Sequence, residues 1–282
     1  MRETKAEYLR IEKLHPFDGH PFKVVDNEEM DQLVESIRTQ GVLTPVVVRL
    51  IENGEYEVIS GHRRLHACKK VGIETIPALV MDMDRDAAAI ALVDSNLHRE
   101  HILPSEKAFA YKLKLEALKQ QGQRTDLTSR QVVGKLETAD MIADGESGRQ
   151  VQRYIRLTHL IPEILQMVDD RKIAMTPAVD ISYLTKKEQA DLLETMECED
   201  CTPSLSQAMQ LKQLSQVGEL DMDTIFGILT QLKPNQQEKI SFKVSELRSY
   251  FPRSYTASQM TRDIIKGLEL LRQRREQNRD SR

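Results

Sequence analysis

Asn53-Gly54 lies between two runs rich in Val and Ile, residues 45–51 and 55–59. Asn-Gly accepts positive φ at both central positions of a type I′ turn, so the pair joins its flanks into a β-hairpin. Ser60-Gly61 then breaks the strand and opens a helix that runs to about Val71 and stops at Gly72. Residues 28–40 are a second helix, because Met30, Leu33, Val34 and Ile37 recur at i, i+3, i+4 and i+7, with Gly41 as the stop. Residues 8–14 alternate weakly and end at His15-Pro16, an edge strand. Residues 75–81 are another short strand. Residues 86–96 are Ala-rich and helical, with Ile90, Val93 and Leu97 on one face.

Beyond residue 100 the pattern turns helical throughout. Pro104 suits a first helical turn, and Ala108, Tyr111, Leu115 and Leu118 follow at helical spacing up to a polar break at 120–123. Thr128 with Gln131 is a capping-box pattern for a short helix over 129–136. Thr138 caps another over 139–144, and Ser147 with Gln150 repeats the capping box ahead of a helix over 148–160. Helices follow at 162–170, 177–184, 186–196, 205–216, 221–232 and 258–275, with a strand at 239–247. Residues 194–200 are acidic and read as surface or linker. The domain expectation is 1–100, 101–200 and 201–282.

Composition narrows the function classes. Lys plus Arg is 40 against 44 Asp plus Glu, a net charge of −4, which excludes a wholly basic nucleic-acid coat but not a local basic face. No apolar run approaches the roughly 18 residues of a membrane helix, and the first ten residues lack the apolar core of a secretory signal. Three Cys point to a reducing cytosol rather than a disulfide scaffold. With no Trp and 5% aromatics, stacking on single strands is not favoured.

The strongest nucleic-acid signal is 139–158: a short helix, a turn with Gly145, and a capped second helix, which is helix-turn-helix geometry. In the second helix Val151, Tyr154, Ile155 and Thr158 share a face. Arg149, Gln150, Gln152, Arg153 and Arg156 project from the other side, and Arg and Gln can make paired hydrogen bonds to guanine and adenine edges. The plain alternative is a solvated helix face. A second signal is Ser60-Gly61-His62-Arg63-Arg64: a Gly opening a helix lets backbone N–H groups approach an anion. A helix start with two exposed Arg fits the same letters. Cys198-x-x-Cys201 has no second pair and reads as surface, and the Arg-rich end of the chain reads as a solvated helix tail.

Taken in order, Thr44-Pro45-Val46-Val47-Val48-Arg49, then Gly61-His62-Arg63-Arg64 with Ala67, then Asn96-Leu97-His98-Arg99-Glu100 with Pro104-Ser105-Glu106-Lys107-Ala108, resemble the ordered boxes of the ParB partition-protein family. Val151-Gln152-Arg153-Tyr154-Ile155-Arg156-Leu157 is similar to that family's recognition-helix box. The resemblance covers about residues 8–185. The last hundred residues do not match the family's usual dimerisation domain, and their style is that of a mobile-element or plasmid version.

The resemblance implies an α+β fold: a small mixed α/β ParB/sulfiredoxin-like N-terminal domain, an all-helical helix-turn-helix domain, and a small, mainly helical C-terminal domain. It implies a homodimer on a palindromic double-stranded DNA site, CTP with magnesium bound by the N-terminal domain, closure into a DNA clamp, a ParA-type ATPase partner, and a cytoplasmic, nucleoid-associated protein. Thr44, Arg49, Gly61, His62, Arg63, Arg64, Asn96 and Arg99 fall in the nucleotide boxes, and Asn96 with Asp94 at the magnesium position. His62, His66, His98 and His101 are brought near the same pocket. Three departures bear on turnover. His62 replaces the family's Glu, Ser95 replaces the Glu before the metal-box Asn, and His20-Pro21-Phe22 stands where the pattern has Gln-Pro-Arg. They imply nucleotide binding with slow hydrolysis at most. The alternatives are a transcriptional regulator of a mobile element using the same helix-turn-helix, or an enzyme on the same fold. Sulfiredoxin chemistry needs a Cys in the Gly box, where Ser60-Gly61-His62 stands, and a nuclease needs clustered carboxylates where these boxes are basic.

Overall fold

The computed structural model describes residues 6–99, 101–125, 146–230, 247–252 and 254–280. The chain divides by contacts into two units, Met1–Gln231 and Leu232–Arg282. The first unit opens with a five-stranded mixed sheet built from β1 (Ala6–Arg10), β2 (Leu14–Pro16), β3 (Val46–Leu50), β4 (Tyr56–Ser60) and β5 (Thr75–Met81) in the order β1-β5-β3-β4-β2. The β3–β4 and β1–β5 pairs are antiparallel, and β3–β5 and β2–β4 are parallel.

The hairpin forms where the sequence places it. Asn53 and Gly54 have φ of 79° and 73°, as a turn with two left-handed residues requires. The single strand expected over 8–14 is corrected. A short 3-10 turn, Ile11–Lys13, separates β1 from β2, and the two strands occupy opposite edges of the sheet. From Arg10 to Leu14 the chain spans at most about 14 Å, at roughly 3.6 Å per residue. A flat five-stranded sheet is about 19 Å wide, at about 4.8 Å per strand interval. The sheet therefore curls.

Helices α1 (Glu28–Gln40) and α2 (His62–Val71) cover one face, where Met30, Ile37, Val46, Val48, Val58, Leu65 and Ile76 are buried. Helices α3 (Arg85–Leu97) and α4 (Pro104–Thr125) take the other, with Phe17, Phe22, Ile59, Leu92 and Val93. This two-sided cover explains why β3 reads Val-Val-Val: adjacent residues point to opposite faces, Val46 and Val48 into a buried core and Val47 into partial cover. Each fully buried aliphatic side chain here contributes about 1.5–3 kcal/mol. The polar break expected at 120–123 does not interrupt α4, which runs on to Thr125.

The helical part comprises α5 (Gly148–Leu157), α6 (Pro162–Asp169), α7 (Met175–Ile181), α8 (Lys186–Cys198), α9 (Leu205–Val217) and α10 (Met222–Leu229). One core joins Leu157, Ile164, Ile181, Leu192, Leu211 and Ile225, so the helical packing continues through α10. Helix α4 serves both parts: it packs on α3, and Tyr111 meets Val151 of α5. Ser105 fixes its start from the far side, with its N–H and hydroxyl donating to the two oxygens of Asp169 at 2.9 and 2.6 Å. The short helices expected over 129–136 and 139–144 lie outside the described residues, as does the strand expected over 239–247 except for its last residue. In the second unit, α11 (Ala257–Asp280) is the main element.

Candidate functional site

The start of α2 is shaped by Gly61. Its φ is 103°, and a Cβ there would sit 2.7 Å from Val46 Cγ1 and 3.1 Å from Arg64 Nη2. Both backbone angle and space demand glycine. Having no side chain, Gly61 makes no cap bond, so the first-turn N–H groups of α2 receive no side-chain acceptor. Arg64 folds back under this turn. Its Nη1 donates to the carbonyls of Thr44 and, at 2.7 Å, Pro45, tying the approach to β3 onto α2. Burial pushes the Arg64 guanidinium down from its ordinary value.

Across from this turn runs the loop after β2. Glu57 accepts from the Asp18 N–H at 3.0 Å, and Glu106 of α4 accepts from the Lys23 N–H at 2.8 Å. The clamped loop presents His20 and Phe22. The His20 ring stands 3.8 Å from that of His62 and 5.7 Å from that of Phe22, centroid to centroid, and the Arg99 guanidinium lies 5.6 Å from the Phe22 ring centre. Burial lowers His20 to about 4, with Arg99 lowering it further against a backbone bond at Phe22. Burial, the neighbouring His20 and Arg99 lower His62 to about 3, against a backbone bond at Val58. Arg99 is itself lowered, by burial first and then by the charge of Arg63. Arg63 forms an exposed ion pair with Glu29 at 3.1 Å.

The nucleotide boxes are thus gathered in part. Thr44, Gly61, His62, Arg63, Arg64 and Arg99 surround the α2 opening. Arg49 does not join them: it sits towards the hairpin end of β3, its guanidinium 2.7 Å from Glu57 on the neighbouring strand, and both groups are largely buried. Asn96 is buried, with Nδ2 donating back to the Leu92 carbonyl at 2.7 Å and to Ser95 Oγ at 3.2 Å. Asp94 lies two residues away, about 200° around the helix, and pairs with Lys114 of α4 at 2.6 Å. As a pair, Asp94 and Asn96 do not fit a magnesium site. Among the described residues no group of three or more His, Cys, Asp or Glu could hold a metal. His66 is drawn off to Asp26 at 2.9 Å, while His98 and His101 are exposed. Cys198 is exposed, and Cys201 packs against the helical core.

In the sequence His20 and Phe22 stand out only as departures from a motif and Glu106 only as a letter of a family box, with no role in the site assigned to any of the three. His20 and His62 lie far apart in sequence, so no local pattern announces their contact. A groove of about 720 Å³ lies elsewhere, between Arg10, Leu14, His15, Lys69 and Gly72.

Helix α5 begins differently. Ser147 caps it by accepting from the Gln150 N–H, but the reciprocal half of the expected box is missing because the Gln150 side chain accepts from Arg153 at 3.2 Å. The helix ends at Leu157 rather than at 160. Val151 and Leu157 are buried, and Tyr154 packs on Tyr111 with ring centres 5.8 Å apart. The expectation that all three Arg project freely needs correction. Arg153 donates to Thr176 Oγ1 at 2.7 Å. Arg156 donates to the Ser182 carbonyl at 2.7 Å and lies 4.0 Å over the Tyr183 ring. Arg149 is exposed, and Gln150 and Gln152 are half-buried. Two arginines thus lock α5 against α7, and Arg149 stands out from its first turn. His159 at the far end is lowered by burial, then by Arg156, Lys112 and Lys186.

Comparison with known proteins places these features in context. Residues 1–97 match the ParB N-terminal domain. The chain is 28% identical over 270 residues to a probable chromosome-partitioning protein ParB of Vibrio cholerae, covering 95% of this chain and 86% of that one. It is 31% identical to a nucleoid occlusion protein of Halalkalibacterium halodurans, covering 75% of this chain and 67% of that one. Of other nucleoid occlusion proteins it spans about 60% of the length. Crystal structures of the C-terminally truncated ParB from Caulobacter crescentus are similar to it. The complex with CTP-gamma-S has a TM-score of 0.32 at 24% identity, covering 68% of this chain and 99% of that one. The complex with the centromeric parS site has a TM-score of 0.42 at 22% identity, covering 73% and 98%. No described helix is long and apolar enough to cross a membrane.

Proposed function

The chain belongs to the ParB family, and from that premise we propose that it is a sequence-specific DNA-binding protein of chromosome or plasmid segregation, switched by a nucleotide held at the α2 opening. The observation that carries this reading is the pair of dissimilar helix starts in one compact unit. The first turn of α2 has no side-chain cap and lies beside Arg63 and Arg99, which suits a polyphosphate. Helix α5 is self-capped, braced by Arg153 and Arg156, and offers Arg149, Gln150 and Gln152, which suits a major groove. CTP is the nucleotide named in a family structure, and here Gly61, His62, Arg63 and Arg99 would hold its phosphates. Arg64 acts as a positioning residue beneath them. The protein works on the nucleoid as a homodimer on a palindromic site, with a ParA-type ATPase as partner.

Resemblance to nucleoid occlusion proteins gives a second reading, in which the same helix marks many sites across a chromosome instead of one locus. Sequencing of DNA fragments captured by the purified full chain, with and without CTP, tests both. One palindromic motif clustered beside partition genes supports segregation, and a motif scattered over the chromosome supports occlusion. Recovery of fragments without any common motif refutes sequence-specific binding.

A further inference from the structure

Two imidazoles meet beside the α2 opening in an arrangement with a chemical consequence. The rings of His20 and His62 are 3.8 Å apart and tilted by 39°. Nε2 of each ring is shut off from solvent and, among the described residues, has no hydrogen-bond partner. A neutral imidazole carries one N–H and one bare lone pair, so each ring has one nitrogen free to take a proton. The cation acting on the pair is Arg99, just past the end of α3, and Arg63 on α2 acts on Arg99 in turn. Behind these stand Glu106 of α4, which acts on Arg99, and Glu29 of α1, paired with Arg63. Burial and Arg99 keep His20 near 4 and His62 near 3, so both rings are neutral at physiological pH. The chain thus holds two vacant proton sites next to a cationic helix start.

We infer that a polyphosphate bound at the α2 opening brings a proton with it, one proton entering the His20–His62 pair for each nucleotide bound. The inference rests on the nucleotide reading above. In the free protein the two causes that keep the pair neutral are lost hydration and positive charge. A nucleoside triphosphate sets several negative charges within a few ångströms, which outweigh the single charge of Arg99 and reverse the field on the rings. An imidazolium then completes the charge match that Arg63 and Arg99 begin. A second proton is opposed by the first across 3.8 Å, which limits uptake to one. If the rings merely fill space, binding carries no extra proton.

Calorimetric titration of the full chain with CTP near pH 7, in two buffers of different ionisation enthalpy, counts protons taken up. The same titration on His20→Gln, which leaves the residues assigned to the phosphates in place, subtracts any proton exchanged by CTP itself. The wild type should take up more protons than the variant, and its affinity should rise as pH falls, by up to tenfold per pH unit, with a flatter profile in the variant. Proton NMR of the wild-type histidine C2–H signals gives a reading that needs no variant: two resonances should move towards the protonated position when CTP is added at pH 7, by amounts that together make one protonation. Equal proton counts in both proteins, with CTP bound and the histidine signals unmoved, overturn the inference while leaving the nucleotide reading intact. Absence of any CTP binding to the wild type removes both.

Discussion

Helices α2 and α5 both begin at a glycine and carry arginines, yet their first turns differ. At α5 the Ser147 hydroxyl already accepts one of the first-turn N–H groups. At α2 the cap is Gly61, which has no side chain to offer, so the positive end of the helix faces outward without an internal acceptor. The arginines sort the same way. Arg63 and Arg99 flank the open start of α2, whereas Arg153 and Arg156 are bonded into α7 and only Arg149 of the α5 trio is exposed. On the function proposed here, the cap residue, more than the number of cations, separates an anion seat from a helix that presents side chains to a groove.

The sharpest way to break this contrast is Gly61→Ala. The left-handed φ costs about 1–2 kcal/mol for an L-residue, and the contact with Val46 adds about 1–3 kcal/mol of overpacking. A loss of roughly 2–5 kcal/mol in denaturant unfolding and loss of CTP binding are expected, with binding to a short cognate duplex unchanged. An Ala variant with wild-type stability and CTP affinity would show that α2 opens in some other way. Arg64→Ala comes next, removing a half-buried guanidinium from two carbonyls at a cost of about 1.5–3 kcal/mol, less whatever solvent screens it. It should also weaken CTP binding by releasing the Thr44–Pro45 segment, again without loss of duplex binding.

In α5 the expected order is reversed, because binding suffers before stability does. Arg149→Ala should leave the melting temperature unchanged and reduce affinity for the cognate site by about 1–3 kcal/mol if it reads a base. A uniform loss on all sequences, with a shallower salt dependence, would reassign it to a phosphate. Arg153→Ala should lower both stability and affinity, since it also releases Thr176. Ser147→Ala removes the cap and should cost about 1 kcal/mol of stability. An unchanged unfolding midpoint would mean that the α5 start is held by its packing on α4 instead.

Much of this was legible in the sequence, and for local reasons. The Asn53-Gly54 hairpin, the i/i+3/i+4/i+7 helix over 28–40, the Gly61 break and the Ser147 cap are each written within a few residues. What periodicity could not give is pairing at a distance. Alternation over 8–14 cannot say that Arg10 and Leu14 end on opposite sheet edges, because that depends on the sheet curling. Nor can the basic face of α5 reveal that Thr176 and Ser182 claim two of its arginines. Arg49 and Asp94 were matched to boxes by position, while Glu57 and Lys114, which pair with them, come from other elements. The family boxes pointed to the α2 opening; the partners of each side chain required the fold.

The smallest expected effect tests the two regions through their histidines. His20 and His62 fall well below the ordinary value of about 6.5, chiefly because they are buried. The unfolded chain therefore takes up protons at a higher pH than the folded one. Their contribution to stability is intact above about pH 6.5 and is lost as pH falls towards 4 and then 3. Each ring can contribute at most about 1.4 kcal/mol per pH unit in that window, reduced by whatever solvent still reaches it. His159, at the end of α5, is shifted in the same direction but is exposed, so its slope should be shallower. Unfolding measured from pH 7 to 5 on wild type, His62→Gln and His159→Gln separates the two. The His62 variant should flatten the acid slope more than the His159 variant. The opposite ranking would place the buried, charge-excluding environment in the helical region rather than beside α2, and the contrast between the two helix starts would have to be redrawn.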